Sequence, residues 1–184
     1  GKADGSATGG GTLTIKEEVN KFIAIDPSSQ TEVLFQRIPE TQKYEVITYS
    51  YVTTGKDGYG SYETPHGAFL IAFTRPYMTF TRHARPGDKT IPGRSDLAVA
   101  GSAKYAVRFS GGGYMHGIPT NFNFKGSTLD TETAKKIGTY KESHKCVRHF
   151  DDQIEFIVKW INADSKIKDR DNTIPEEPVI AVVL

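Results

Sequence analysis

Most of this chain is divided into short segments that favour extended backbone, with sharp breaks between them. Asn20–Asp26 (NKFIAID), Glu32–Ile38 (EVLFQRI) and Lys43–Thr53 (KYEVITYSYVT) are rich in β-branched and aromatic residues, and they are separated by Pro27-Ser28-Ser29 and Pro39-Glu40. This succession of strands and turns predicts a mostly β fold. The same pattern predicts further strands at 68–74, 77–82, 105–109, 114–118 and 179–183.

Two segments have helical character instead. In Asp151–Ala163 the apolar residues recur at the spacing of one helix face, and Asp151 and Asp152 suit the positive N-terminus of a helix. The residues of this apolar stripe are Ile154, Ile157, Val158 and Ile161. A shorter helix is predicted over Asp130–Ile137. The prediction is therefore a β fold with one amphipathic helix directly after the stretch that contains the only cysteine.

The start of the chain differs from the rest. Gly1–Gly11 (GKADGSATGGG) contains only small and polar side chains, so residues 1–14 are predicted to be a flexible leader or linker. Residues 15–184 are then predicted to form one folded domain, which is long enough to bury a core without a disulfide or a structural metal.

Charge and hydropathy exclude two classes of partner. The formal net charge is +1 and no run of Lys and Arg exceeds two residues, which argues against nucleic acid binding. The longest apolar runs, Ala68–Phe73 and Val179–Leu184, are far too short to span a bilayer.

The single cysteine, Cys146, lies in the stretch SHKCVRH among histidines and cations. An isolated Cys is often buried as a small apolar side chain, but cationic neighbours and a following helix N-terminus favour the nucleophilic thiolate. A nucleophile also needs a base, and either His144, the nearest in sequence, or His116, at a predicted strand end beside Gly117, could serve. A zinc site made by His116, His144, Cys146 and His149 has suitable atom types, but it lacks a second Cys and the usual paired spacings.

These segments resemble the L,D-transpeptidase catalytic domain. That family carries an HG pair and, after a spacer, SHGC followed by an aliphatic residue and Arg; here His116-Gly117 precedes Ser143–Arg148 (SHKCVR). Upstream, Phe22–Gln36 is similar to the family's opening hairpin, Tyr49–Gly55 to its strand ending in Thr-Gly, and Thr64–Phe69 (TPHGAF) to its TP-x-G-x-F turn. The resemblance covers residues 20–184, and it implies the β-sandwich or barrel-like fold of that domain.

The resemblance also implies a role for each matching residue. Cys146 would be the nucleophile, and His116 would be its general base, oriented by the carbonyl of Gly117. Backbone N–H groups around Lys145 and Cys146 would form the oxyanion hole. The turn, the loop and the substrate pocket would be shaped by His144, Ser143, Arg148, Tyr114 and Met115.

Two features depart from the family pattern. Lys145 stands where the family has Gly, so either the turn differs or Lys145 is strained, and its cation could support the thiolate or an anionic substrate. The spacer between His116 and His144 is also about ten residues longer than usual. The extra segment, about Thr120–Tyr140, is expected to include the short helix and to form a lid or wall over the site.

The implied activity is attack of Cys146 on a tetrapeptide stem of peptidoglycan. A thioacyl enzyme would form, the terminal D-residue would leave, and the acyl group would pass to an amine of a second stem. No cofactor is expected, the partners are donor and acceptor stem peptides, and the location is extracytoplasmic, with a role in wall biogenesis and cell shape and sensitivity to carbapenems. Two alternatives stay open: a hydrolase on the same scaffold, which would be an L,D-carboxypeptidase or an enzyme that releases a wall-anchored protein, and a wall-binding module without catalysis.

Overall fold

The computed structural model describes residues 3–5, 13–15, 19–57, 63–109, 111, 113–123, 126–139, 141, 143, 145–163, 165 and 167–184. The strands in this part of the chain are β1 (Ala3–Gly5), β2 (Leu13–Ile15), β3 (Lys21–Asp26), β4 (Thr31–Arg37), β5 (Tyr44–Tyr51), β6 (Gly67–His83), β7 (Thr90–Ile91), β8 (Arg94–Phe109), β9 (Tyr114–His116), β10 (Thr120–Asn123), β11 (Gly126–Leu129), β12 (Val147–Arg148), β13 (Lys168–Asp169), β14 (Asn172–Thr173) and β15 (Val179–Val183). The helices are α1 (Thr131–Lys136) and α2 (Asp151–Asn162).

Most of the strands belong to one large mixed sheet. Its main path runs β11-β10-β8-β6-β15-β3-β4-β5, with β9 joined to β8 and β12 joined to β9. β15 is antiparallel to β6 and parallel to β3, so the last strand links the two halves of the sheet. The prediction of a mostly β fold with two helices is confirmed.

The core follows from the alternation within the strands and the stripe on α2. In β3, Ile23 and Ile25 lie on the buried face, and the four predicted residues of α2 are all buried. These side chains pack with those of β9, β12 and β15 in one hydrophobic cluster, so α2 covers the sheet next to the cysteine stretch. The observed bounds of α2 and α1 lie within one residue of the predicted ones.

The longest strands were only partly predicted. Segments 68–74 and 77–82 form one strand, β6, which continues through Pro76, and β8 begins eleven residues before the predicted 105–109. Pro76 has no N–H to donate. In β8 the residue between the partners of Arg75 and Tyr77 is Tyr105, whose φ of 54° marks a local departure from extended backbone. Pairing with β6, rather than local propensity, extends β8 through its Ala- and Ser-rich first half.

The segment predicted as an insert adds two strands to the sheet. β10 pairs with β8 at its edge and β11 pairs with β10, and α1 then follows. After α1, the N–H of Gly138 donates to the carbonyl of Val52, 3.0 Å away, so the segment returns to the end of β5. Its service as a lid or wall stays a prediction.

Within the predicted leader, β1 pairs with β2, and the other residues of 1–14 lie outside the described residues. In the described part of the chain, neither helix is long and apolar enough to cross a membrane.

Candidate active site

A short parallel ladder brings the two sequence motifs together. β12 pairs with β9, with Arg148 opposite His116 and Val147 opposite Met115, and the N–H of His149 donates to the His116 carbonyl at 2.8 Å. Cys146, which directly precedes β12, therefore lies beside Tyr114, two residues before His116. Residues thirty-two positions apart in sequence thus become neighbours through main-chain pairing.

The ring of His116 is held in one tautomer. Its Nδ1 lies 2.8 Å from the carbonyl oxygen of Gly117, and because a carbonyl only accepts, Nδ1 carries the proton and Nε2 keeps its lone pair. The side chain is 2% exposed, and Phe80 meets the ring edge-on at 5.1 Å between centroids. Burial lowers the pKa of His116 to about 4, so the imidazole is neutral near pH 7 and can accept a proton.

Gly117 is needed for a close approach. A Cβ there would lie 2.4 Å from a carboxylate oxygen of Asp151 and 3.1 Å from the carbonyl of Lys104. The same Asp151 oxygen accepts from the N–H of Ile118 at 2.8 Å. The start of α2 is therefore docked directly against the residue that orients the His116 ring.

Cys146 is half-buried, and its thiol is not activated by its surroundings. Burial raises the pKa of Cys146, although a hydrogen bond with the Tyr114 backbone and the charges of Arg148 and Arg108 act in the opposite direction. The expectation that cationic neighbours shift the resting residue towards thiolate is therefore wrong, because loss of solvation outweighs them. Both Cys146 and His116 are uncharged in the resting site.

The turn before Cys146 has the backbone geometry that the family's glycine would allow. Lys145 has a φ of 61°, in the left-handed region. Its carbonyl accepts from the hydroxyl of Thr64 at 2.9 Å, and that hydroxyl accepts from the N–H of Gly55 at 2.7 Å. Among the described residues, no backbone acceptor binds the N–H groups of Lys145 and Cys146, and their role as an oxyanion hole stays a prediction.

Ser143 and Arg148 hold the loop through their main chains. Ser143 donates its N–H to the carbonyl of Thr54 at 3.0 Å and accepts from the N–H of Lys56 at 2.8 Å. Arg148 exchanges two backbone hydrogen bonds, of 2.8 and 3.0 Å, with Thr53. The segment 53–56, which includes the predicted Thr-Gly strand end, thus forms one wall of the cysteine loop.

The zinc alternative does not fit His149. This residue is fully buried, with Nε2 2.7 Å from a carboxylate oxygen of Glu32 and Nδ1 3.0 Å from the carbonyl of Val147, so both ring nitrogens are occupied. The described residues contain no group of three or more His, Cys, Asp or Glu side chains that could hold a metal ion. His144, the other predicted histidine of the site, lies outside the described residues.

The two predicted substrate contacts, Met115 and Tyr114, differ in their burial. Met115 is fully buried in the hydrophobic core, so its assignment to substrate binding is wrong, because the strand alternation turns it away from the site. Tyr114 is half-buried and lies under the guanidinium of Arg108, 4.9 Å from the ring centroid, and its role towards substrate stays a prediction.

Several residues of the site were missed from the sequence. They act through contacts between distant segments: Phe80 on the His116 ring, Asp151 at Gly117, and Arg108 on Tyr114. Of these residues, only Asp151 was noted from the sequence, as an acidic residue at a predicted helix start.

Comparison with known proteins agrees with this arrangement. The family model described as YkuD, the L,D-transpeptidase catalytic domain, matches residues 20–179. No curated protein sequence matches the chain.

Solved structures share the fold. An L,D-transpeptidase from Mycobacterium smegmatis has a TM-score of 0.55 and 15% identity over 90% of this chain and 58% of its own. L,D-transpeptidase 3 from Mycobacterium tuberculosis, with a faropenem-derived adduct, has a TM-score of 0.51 and 16% identity over 89% of this chain and 60% of its own. An L,D-transpeptidase in complex with imipenem has a TM-score of 0.54 and 17% identity over 89% of this chain and 59% of its own. The chain thus spans about three fifths of each of these proteins. With the strand that ends at His116 paired with the strand that directly follows Cys146, and with the family model matching residues 20–179, the chain belongs to the YkuD family of L,D-transpeptidase catalytic domains.

Proposed function

We propose that this protein is a peptidoglycan L,D-transpeptidase in which Cys146 is the nucleophile and His116 the base. The observation that supports this most directly is the parallel pairing of β9 with β12, which sets Cys146 beside the strand of a buried histidine whose Nε2 is free to accept a proton. Its substrates are the stem peptides of peptidoglycan, and its location is outside the cytoplasm.

The first half-reaction starts from uncharged groups. The Cys146 sulfur attacks the carbonyl carbon of the donor stem as the thiol proton passes to Nε2 of His116. The N–H groups of Lys145 and Cys146 donate to the carbonyl oxygen as it gains negative charge. Collapse of the tetrahedral intermediate breaks the C–N bond, the proton passes from His116 to the leaving amine of the terminal D-residue, and a thioester remains.

The second half-reaction reverses these steps with a new amine. The acceptor amine attacks the thioester carbon and loses a proton to His116, and the departing sulfur takes up that proton to restore the thiol. Water in place of the amine would give a trimmed stem, which is the reaction of the hydrolase alternative.

The test is mass spectrometry of the protein with purified disaccharide-tetrapeptide. We expect a thioacyl adduct on Cys146, release of the terminal D-residue and accumulation of a dimeric stem, all absent in Cys146→Ala. A trimmed monomer alone would establish the hydrolase instead. If neither an adduct nor a product is observed, the result favours a wall-binding module.

A carbapenem gives an independent test of the nucleophile. The imipenem complex and the faropenem-derived adduct are properties of other proteins, and we propose the same chemistry here. Imipenem should add to Cys146 with a mass increase equal to the drug and leave Cys146→Ala unmodified. A general thiol reagent is less informative, because the raised pKa of Cys146 makes slow labelling compatible with an enzyme.

A further inference from the structure

Four side chains on β6, β8 and β9 alternate between aromatic rings and guanidinium groups. Across the sheet, Phe73 of β6 lies opposite Arg108 of β8, and Arg108 lies opposite Tyr114 of β9. Cross-strand partners share a face of the sheet, and Arg75, two residues after Phe73, lies on that same face. We refer to Tyr114, Arg108, Phe73 and Arg75 as the arginine–aromatic row.

The members of the row are stacked on one another. The guanidinium carbon of Arg108 lies 4.9 Å from the centroid of the Tyr114 ring, and that of Arg75 lies 4.8 Å from the centroid of the Phe73 ring. The two rings meet edge to face at 6.2 Å. All four side chains are half-buried, so the row is a formed surface rather than a set of freely rotating chains.

No carboxylate of the described residues pairs with either guanidinium. Arg108 makes its ring contact and no hydrogen bond within the described part of the chain, and Arg75 donates Nε–H to the neutral side-chain oxygen of Asn172 at 3.0 Å. Elsewhere on the same strands, Arg82 and Arg94 are each paired with an aspartate. Among the described residues, the two guanidiniums of the row thus lack the carboxylate partner that Arg82 and Arg94 have.

Stacking leaves the hydrogen-bonding edge of a guanidinium free. The ring covers the flat face, whereas the N–H donors, five in each guanidinium, point outward in a planar fork that matches a carboxylate. The charge of Arg108 also reaches the Cys146 thiol, and the Tyr114 backbone hydrogen-bonds to that thiol. An anion bound by Arg108 would thus lie close to the bond that Cys146 attacks.

We propose that the arginine–aromatic row is a carboxylate subsite for the acyl donor, with Arg108 as its principal residue and Arg75 as a second cation farther from Cys146. This proposal rests on the proposed function and adds to it a substrate requirement: a carboxylate close to the scissile bond. Two carboxylates of a stem peptide qualify, the terminal one of the leaving residue and a side-chain one of the stem.

The experiment measures whether the effect of removing a substrate carboxylate on KM depends on Arg108. Donor tetrapeptide, its C-terminal amide and its side-chain amide are each assayed with wild type, Arg108→Gln and Arg108→Lys. Arg94→Gln, which removes an exposed Arg from the far end of β8, is the matched control. In wild type, the amide of the recognised carboxylate should raise KM roughly 10- to 100-fold, the range of a lost charge-assisted hydrogen bond. In Arg108→Gln that penalty should shrink to about twofold or less, while Arg108→Lys, which keeps the charge but not the fork, should fall between.

Each outcome decides the proposal. Loss of the amide penalty in Arg108→Gln for one of the two carboxylates supports the subsite and identifies its source. Equal penalties in wild type and Arg108→Gln for both amides overturn it, even if Arg108→Gln is slower, because Arg108 would then act only on the thiol.

Binding separates this proposal from the proposed function. Calorimetry of the tetrapeptide and its amides with Cys146→Ala, with and without Arg108→Gln, needs no turnover, and melting curves of each variant verify folding. If no donor acylates Cys146 but the carboxylate dependence of binding still requires Arg108, the proposed function fails and the subsite stands. If binding is the same with and without Arg108, the subsite fails whatever the activity.

Discussion

The buried residue His116 contributes to the pH dependence of the protein's stability. Its pKa is lowered to about 4 by burial, against an ordinary value of 6.5, so between these pH values the unfolded chain binds a proton that the folded chain does not. The free energy of unfolding therefore falls as the pH is lowered from about 6.5 to about 4. The loss attributable to His116 is on the order of 3 kcal/mol, since one pKa unit corresponds to about 1.4 kcal/mol.

We predict that His116→Gln removes this part of the pH dependence. Urea unfolding of both proteins at several pH values between 4 and 8 would measure it, and acidic groups that titrate in both proteins cancel in the difference. The two stability curves should converge as the pH falls. Parallel curves would show that His116 is not buried in its neutral form.

Lys145, directly before Cys146, has a backbone conformation that favours glycine. A non-glycine residue at a φ of 61° is strained by about 1–2 kcal/mol, part of which Gly would lose again through its greater freedom in the unfolded chain. The cations that favour the thiolate of Cys146 are Arg148 and Arg108, which leaves strain as the better account of Lys145.

We therefore predict that Lys145→Gly raises the free energy of unfolding by about 1 kcal/mol, a rise of roughly 2–4 °C in Tm. The pH profile of Cys146 alkylation should stay unchanged. Lys145→Ala, which removes the cation but keeps a Cβ, should show no gain in Tm. A higher alkylation pH or a higher KM in Lys145→Gly would instead assign the cation to the thiolate or to substrate.

The TPHGAF turn supports the turn before Cys146 through the side chain of Thr64. The Thr64 hydroxyl is buried and joins the N–H of Gly55 to the carbonyl of Lys145, so it fixes the residue whose backbone would face the oxyanion. This hydroxyl therefore ties the motif to the turn before Cys146.

Thr64→Val keeps the shape of this residue but leaves two buried polar groups without a partner. We predict a loss of about 2 kcal/mol or more in the free energy of unfolding and a roughly tenfold lower kcat/KM, because the turn is no longer held. Thr64→Ser, which keeps the hydroxyl, should retain most of both. A loss in Thr64→Ser as large as that in Thr64→Val would contradict the assignment of this role to the hydroxyl.

At the scale of the whole molecule, β15 joins the two halves of the sheet. It lies between β6 and β3, and Ala181 at its centre is fully buried. Without it, two strands would present unpaired edges, and the core cluster would lose Val179, Ala181 and Val183.

A chain that ends at Pro178 should therefore show no cooperative thermal transition. Removal of Leu184 alone, whose side chain is 65% exposed, should leave the transition within a few degrees of the full chain. Circular dichroism during heating would compare the two. A cooperative transition in the shorter chain would show that the two halves fold without their link.

The class of fold, the helix that follows Cys146 and the pair of motifs that identify the family could all be inferred from the sequence. Each of these depends on local information: strand propensity and turn residues, the spacing of Ile154 to Ile161, and short motifs whose order survives in the chain. The conformational demand at Lys145 was also visible, because a glycine-to-lysine difference concerns the backbone of a single residue.

The charge state of the site and of its surroundings depends instead on how the distant segments pack. Cationic neighbours in sequence predicted an activated thiol, whereas burial, which depends on how β9, β12 and α2 pack, raises the pKa of Cys146. Met115 was predicted to touch substrate, and strand alternation turns it into the core. Arg108 lies beside Tyr114 because β8 pairs with β6 and β9. Solvation and the distance between charges are properties of the folded arrangement, so neighbours along the chain do not predict them.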